Sequence, residues 1–237
     1  MRRMAPLLIA ALLALFLAGC GSSSNDTTNA TNTITETSTP SSEPSEQTAT
    51  NSSEPSTIPA DNDDTEQTAS LSEESLKDAA TNIIELIRDR DLGSLADWID
   101  PEQGLRFSPY AHIDTNESQL FQAGELPDFK DTTKLTWGTS DGSGEPISLT
   151  FREYYEKFVY NQDFAEAPNV SVNKLMGKGN VAFNGTETYP GASYVEFYFP
   201  GFDKAADGMD WQSLVLVFVP SGEEWKLVSI VHGQWTI

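Results

Sequence analysis

A fifty-residue stretch, Gly21 to Ser70, limits which part of this chain can form a packed core, because it contains almost no large apolar side chains. Ile34 and Ile58 are almost its only large apolar residues, and it holds nine acids but no Lys or Arg. Such a chain cannot bury enough apolar surface to offset its conformational entropy, so we expect residues 20–70 to form a disordered tether. Packing is therefore expected in residues 71–237, a length that suits one domain with a substantial core.

The chain begins with a segment typical of a secretory signal peptide. Arg2 and Arg3 precede an apolar run over residues 5–19. That run is shorter than the roughly 20 residues that a helix needs to cross a bilayer core. It ends at Cys20, which is the single cysteine of the sequence. A lone cysteine in an exported chain has no disulfide partner within the chain, so another role is expected for its thiol.

The residues Leu17-Ala18-Gly19-Cys20 resemble the lipobox of bacterial lipoproteins. The resemblance implies that residues 1–19 are removed as a signal peptide and that the Cys20 thiol receives a diacylglyceryl group. It also implies that the new amino terminus accepts an acyl chain such as palmitate. The lipid bilayer is then a partner, and the protein lies at the extracytoplasmic face of the cell membrane. The alternative is that Cys20 ends an ordinary secretory signal or lies in an uncleaved anchor.

The charge of the domain excludes two classes of partner. Residues 71–237 carry 27 of the 36 acids and 12 of the 14 bases. An acidic surface repels nucleic acid and anionic lipid, and it keeps an exported domain soluble. No cofactor motif is present in the sequence, and we expect none to be bound.

Helical periodicity appears in two parts of the domain. Ser70 and Glu73 match a capping box, and the apolar spacing that follows predicts a helix over about 72–90. Ser94 is expected to cap a short second helix. Thr150 and Glu153 match another capping box. It precedes a stripe that suits either a ligand platform or, as we prefer, a helix face packed on a sheet: Phe151, Tyr154, Tyr155, Phe158 and Val159.

The last third of the chain predicts strands. Residues 192–199 and 213–219 are rich in β-branched and aromatic side chains, and a third such run covers residues 224–237. The predicted fold class is therefore α+β, with N-terminal helices packed on one side of a curved antiparallel sheet.

This order of elements resembles the NTF2-like and cystatin-like superfamily, in which a bent sheet wraps helices and often leaves a cavity. Residues 106–113, 136–164 and 225–237 are also similar to segments of uncharacterised lipoproteins of Gram-positive bacteria. The resemblance implies a compartment but no activity, because NTF2-like folds host enzymes, binding modules and scaffolds alike.

Two residues are weak candidates for a general base. Glu196 alternates with Tyr194 and Tyr198, so the three share one strand face. On a concave face Glu196 would line a cavity with a raised pKa, whereas a solvated outer face with aromatic pairs is the ordinary interpretation, which we favour. His232 is expected to share a face with Val228 and Ile230 at a pocket mouth, although a histidine without a chemical role is the more common case.

Other patterns give little support for a site. Arg106, Tyr110 and His112 alternate and are predicted to line a pocket. Residues 141–145 (DGSGE) match neither a calcium loop nor a nucleophile elbow, and they are interpreted as a surface turn. The two histidines lie far apart without a zinc motif, so no metal site is predicted.

Three functions stay open. The preferred one is a non-catalytic, lipid-anchored module that binds an envelope protein, a glycan or a small ligand. The alternative is an NTF2-like enzyme of the isomerase or hydrolase type, with Glu196 or His232 as general base. A third is an assembly part of an envelope complex, which would present an exposed apolar patch.

Overall fold

The computed structural model describes residues 71–237, which form a mixed α+β domain. The predicted signal peptide, lipidated Cys20 and tether lie outside the described residues. Within residues 71–237, every helix is too short or too polar to traverse a lipid bilayer.

Two helices open the domain, as predicted, but their caps differ from the predicted ones. Helix α1 spans Glu73–Asp89, and its cap is Ser72 rather than Ser70: the Ser72 hydroxyl accepts from the Ser75 N–H at 3.0 Å. Helix α2 spans Leu92–Ala96 and is capped by Asp91, whose carboxylate accepts from the N–H of Ser94. A serine fills the third helical position of α1 as well as a glutamate would, because its hydroxyl accepts from the cap N–H.

The third helical segment carries the aromatic stripe. The predicted capping box is confirmed: Thr150 Oγ1 accepts from the Glu153 N–H, and a Glu153 carboxylate oxygen accepts from the Thr150 N–H. Helix α3 spans Phe151–Tyr154 and continues as one π-helical turn, Tyr155–Val159. The Tyr155 hydroxyl donates to the Ile87 carbonyl, which ties this segment to α1. A short helix α4, Gly185–Thr188, follows later in the chain.

The main sheet is mixed rather than purely antiparallel, which corrects the predicted architecture. Its spatial order is β2-β1-β8-β7-β6-β5, and β1 pairs in parallel with β8 through Arg106 and Ser229. Four strands also precede α3, so the helices do not all come first. The strands of this sheet are β1 (Leu105–Ser108), β2 (Gln119–Phe121), β5 (Asn169–Val172), β6 (Ser193–Phe199), β7 (Gln212–Ser221) and β8 (Glu224–Gln234).

A separate hairpin joins β3, Leu135–Thr139, to β4, Pro146–Leu149. The predicted turn over residues 141–145 connects them. The Ser140 N–H donates to the Glu145 carbonyl at 2.7 Å, and Gly142 and Gly144 adopt positive φ. These two glycines therefore serve the backbone of a turn.

A β-bulge in the centre of the sheet changes which side chains share a face. Val217 pairs with Ser229 and Phe218 pairs with Leu227, so Val228 is an extra residue on β8. Because an extra residue shifts the alternation, Val228 lies on the face opposite to Ile230 and His232. The prediction that Val228 and His232 share a face was wrong for this reason. The bulge also contributes to the curvature of the sheet.

The two faces of the sheet bury different clusters. Helices α1 and α3 cover one face, where an aromatic core is built around Phe107 and Trp137. The centroid of the Phe107 ring lies 5.9–6.1 Å from those of four other rings, all in edge-to-face geometry. The Trp137 ring stacks on the Tyr154 ring with a centroid distance of 3.9 Å. The opposite face carries a smaller aliphatic cluster, packed against residues from chain segments outside the sheet: Ile113, Leu175, Phe183 and Tyr189.

Candidate functional site

Glu196 lies on β6 and points away from α1 and α3. It is 1% exposed, so the interpretation of a solvated outer face was wrong. The predicted alternation itself is observed, because Val195 and Phe197 belong to the helix-covered core and Tyr194 to the opposite cluster. Glu196 is buried because residues 174–183, which we call the covering segment, pass over this face.

Two backbone hydrogen bonds from the covering segment hold the Glu196 carboxylate. Its oxygens accept from the N–H groups of Met176 and Gly177. The nearby hydroxyls of Ser171 on β5 and Ser213 on β7 also act to lower its pKa. Burial holds the pKa of Glu196 above its ordinary value of 4.5, while these hydrogen bonds oppose the rise. The carboxylate is thus oriented and rigid.

A cavity of about 350 Å³ lies beside this carboxylate, between the sheet and the covering segment. Its wall combines apolar side chains such as Val215 and Val231 with a small set of polar groups. Concave sites of this size and composition are typical of small-molecule binding. The residues on which its chemistry depends are Gly177, Phe183, Glu196, Trp211, Ser213 and Thr236.

Two polar atoms in this wall have no hydrogen-bond partner among residues 71–237. They are Nε1 of Trp211 and Oγ1 of Thr236. Trp211 is 6% exposed and Thr236 is 3% exposed. Because an unpaired buried donor or acceptor is costly, such atoms are rare in native proteins and mark places where a ligand binds or a water is ordered.

Two glycines position the Trp211 ring. A Cβ on Gly177 would lie 2.4 Å from Cζ3 of Trp211, and one on Gly233 would lie 3.1 Å from the same atom. The backbone of the covering segment therefore approaches the ring at a distance that only glycine permits, and the backbone of β8 forms a tight contact with the same ring. The ring is fixed by close packing on these two elements.

His232 lies on the opposite, helix-covered face. It is fully buried, its ring packs edge-to-face on Phe158 at 5.7 Å, and neither ring nitrogen makes a hydrogen bond of normal geometry. Burial lowers the pKa of His232 to about 4, an effect that the Pro109 carbonyl only partly opposes. His232 is thus a neutral core residue at physiological pH and does not line the Glu196 cavity.

The remaining predicted pocket residues are dispersed. Tyr110 and His112 line a second cavity of about 350 Å³, beside the β3–β4 turn. Arg106 Nη1 donates to the Thr115 and Ser118 carbonyls, which anchors a loop. The Tyr194 ring packs on the Phe183 ring, and the ring centroids of Tyr198 and Trp211 are 6.0 Å apart. Arg106, Tyr194 and Tyr198 are not wall residues of either cavity.

Sequence reasoning missed Trp211, Thr236 and the role of the glycines. Trp211 and Thr236 belong to no periodic pattern, so no local signal points to them. Gly233 did carry a signal, because a glycine inside a strand often marks a close backbone approach. Gly177 makes the corresponding approach from the covering segment.

Comparisons with known proteins add little beyond this geometry. No protein-family model and none of the curated proteins matches the chain. A solved structure of a protein named Rd1NTF2_05, which carries five substitutions, is similar to it at 14% identity. The match covers 66% of this chain and 94% of the other, with a TM-score of 0.26.

Within residues 71–237, no three His, Cys, Asp or Glu side chains group as metal ligands.

Proposed function

We propose that this protein is a lipid-anchored extracytoplasmic binding protein whose domain holds a small ligand in the Glu196 cavity. One observation carries the binding proposal: a cavity of about 350 Å³ has two buried polar atoms, Trp211 Nε1 and Thr236 Oγ1, that find no hydrogen-bond partner in the described part of the chain. A rigid wall with a few unsatisfied polar groups suits recognition of a ligand.

The proposed fold type is NTF2-like. Support comes from the mixed, curved sheet with helices α1 and α3 packed on one face. In this chain the helix-covered face is filled by the rings around Phe107 and Trp137. The proposed ligand site therefore lies on the opposite face, under the covering segment, rather than among the helices.

The proposed anchor is Cys20. Its support is the lipobox pattern Leu17-Ala18-Gly19-Cys20 after a short apolar segment. A diacylglyceryl group and an amide-linked acyl chain together would give stable attachment, since a single chain binds membranes only marginally. The protein would then lie at the extracytoplasmic face of the cell membrane, in contact with the cell envelope.

Native mass spectrometry of the full chain, extracted from the membrane in which it is produced, tests the binding proposal. We expect a mass excess of up to a few hundred daltons that is lost on denaturation. The variant Trp211→Ala should lose this excess, while the exposed-site control Glu223→Gln should keep it. A bare mass for the unaltered chain, or an excess equal to a second polypeptide, would contradict the small-ligand proposal.

A second candidate function is an enzyme that uses Glu196 as general base. The raised pKa of this buried carboxylate favours it. Against it, the carboxylate already accepts hydrogen bonds from two backbone N–H groups, which suits a structural role. Conversion of the co-purified molecule by the unaltered chain but not by Glu196→Gln would support the enzyme. Its release unchanged from both proteins would contradict the enzyme and support the binding protein.

A further inference from the structure

We propose that the ligand of the Glu196 cavity is a ring-sized molecule without negative charge that presents a hydrogen-bond acceptor, such as a carbonyl or ether oxygen, to Trp211 or Thr236. This inference rests on the proposed function, because it names the class of ligand for the same cavity.

The acceptor follows from the chemistry of the unpartnered atoms. Indole Nε1–H is a donor only, so its partner must be an acceptor. Thr236 Oγ1 can also donate to a ligand acceptor, because a hydroxyl both donates and accepts. Both atoms are buried in the cavity wall and have no hydrogen-bond partner within residues 71–237. A ligand without an acceptor would leave the Trp211 donor unpaired, which disfavours its binding.

The ring-sized apolar body follows from the rest of the wall. Val181, Phe183, Val215 and Val231 face the cavity together with Trp211. The tryptophan ring is held between Gly177 and Gly233, so it cannot easily move to admit a bulkier group. A volume of about 350 Å³ accommodates one or two rings.

The exclusion of anions follows from Glu196. Its carboxylate lines the cavity and is held in place by the covering segment. Lys178 also lines the cavity, but it is exposed to solvent and compensates the buried charge only weakly. A ligand carboxylate would therefore lie beside an acid of the same sign in a poorly solvated space.

Three probes of one ring size test these statements: cyclohexanone, cyclohexane and cyclohexanecarboxylate. The full chain, labelled with ¹⁵N in its indole rings and held in lipid nanodiscs, is titrated with each probe, and empty nanodiscs serve as reference. Trp211→Phe identifies the Trp211 N–H resonance by its disappearance. Because the probes are not aromatic, a downfield shift of this proton reports hydrogen bonding rather than a ring current.

We expect cyclohexanone to shift the Trp211 indole proton downfield. Trp211→Phe should weaken cyclohexanone binding about tenfold and leave cyclohexane binding within about twofold, as removal of one buried hydrogen bond predicts. Thr236→Val, which preserves the shape of the side chain, should weaken cyclohexanone binding about fivefold. It provides the same test should Trp211→Phe fail to fold.

Other outcomes would overturn the inference in separable ways. Equal losses for cyclohexanone and cyclohexane in both variants, or tightest binding of cyclohexanecarboxylate, would refute the ligand class while leaving the cavity as a binding site. No response of the Trp211 resonance to any of the three probes would refute the cavity as a binding site, and the ligand class with it.

Discussion

Glu196 and His232 lie on opposite faces of the same sheet. Glu196 pairs with Val215, which pairs with Val231, and all three belong to the face under the covering segment. His232 pairs with Leu214, whose side chain lies in the helix-covered core. The two candidate bases of the sequence analysis therefore cannot serve one active site.

Replacing Glu196 by Gln is expected to destabilise the domain. The amide keeps one acceptor oxygen but turns an NH₂ group toward backbone N–H donors of the covering segment. We expect a loss of about 1–3 kcal/mol in the free energy of unfolding, measured by urea denaturation at pH 7. The exposed Glu223→Gln should change it by less than about 0.5 kcal/mol. Equal effects of the two variants would contradict the described hydrogen bonding.

The same residue has a predictable pH dependence. Because the pKa of Glu196 in the folded state lies above 4.5, the folded state binds more protons than the unfolded state just above that pH. The stability that Glu196 contributes is then fully present below about pH 4.5 and is lost as the pH rises through the folded-state value. The stability advantage of the unaltered chain over Glu196→Gln should therefore grow as the pH falls through the weakly acidic range. Parallel curves would contradict the raised pKa.

His232 should act in the opposite direction. Its pKa is lowered from 6.5 to about 4, so the unfolded state binds more protons between these values. Stability should be full above about pH 6.5 and fall as the pH drops toward 4, by about 3 kcal/mol in all. His232→Phe keeps a ring against Phe158 and removes the titration. If His232→Phe loses as much stability in acid as the unaltered chain, the acid-induced loss belongs to other groups.

Gly177→Ala tests the close approach to Trp211. Its new Cβ would lie 2.4 Å from Cζ3 of the tryptophan, so the ring or the covering segment must move. We expect a loss of about 1–3 kcal/mol in the free energy of unfolding, the usual cost of overpacking, together with loss of the co-purified mass. Gly124→Ala is the matched control, because a Cβ there meets nothing within 4 Å. Similar stabilities of the two variants would show that the Trp211 ring is free to move.

Cys20→Ala tests the proposed anchor. Without the thiol, neither lipid attachment nor cleavage before residue 20 can follow the lipoprotein route. We expect the variant to leave the membrane fraction for the medium or to persist as an uncleaved precursor, as judged by fractionation and intact mass. Ser22→Ala provides a control two residues away. Normal cleavage and membrane retention of Cys20→Ala would refute lipidation at this position.

Local patterns predicted much of this fold. The alternation in residues 192–199 predicted both the strand and the shared face of Tyr194 and Glu196, and Thr150 and Glu153 predicted the start of α3. These signals depend on residues a few positions apart. The parallel pairing of β1 with β8 and the bulge at Val228 depend on segments more than one hundred residues apart or on sheet geometry. Neither leaves a local pattern.

The site was harder to predict than the fold for the same reason. Alternation placed Glu196 on a face, but its burial depends on the covering segment, which has no helical or strand periodicity of its own. Trp211 is held in the cavity wall because Gly177 and Gly233 approach its ring from distant parts of the chain. A glycine in a strand interior, here Gly233, is a sequence signal from which such an approach can be predicted.

The position of β8 at the centre of the sheet has a consequence for how the protein is made. β8 is the last strand of the described domain, yet it joins β1 to β7, and the Ser229 hydroxyl donates to the Arg106 carbonyl across 123 residues. Until β8 is available, the pair β2-β1 and the set β7-β6-β5 lack the strand that joins them into one sheet. Such non-local pairing is slow to form. If the chain is exported as proposed, its sheet would therefore close only when translocation is nearly complete and the final strand has emerged.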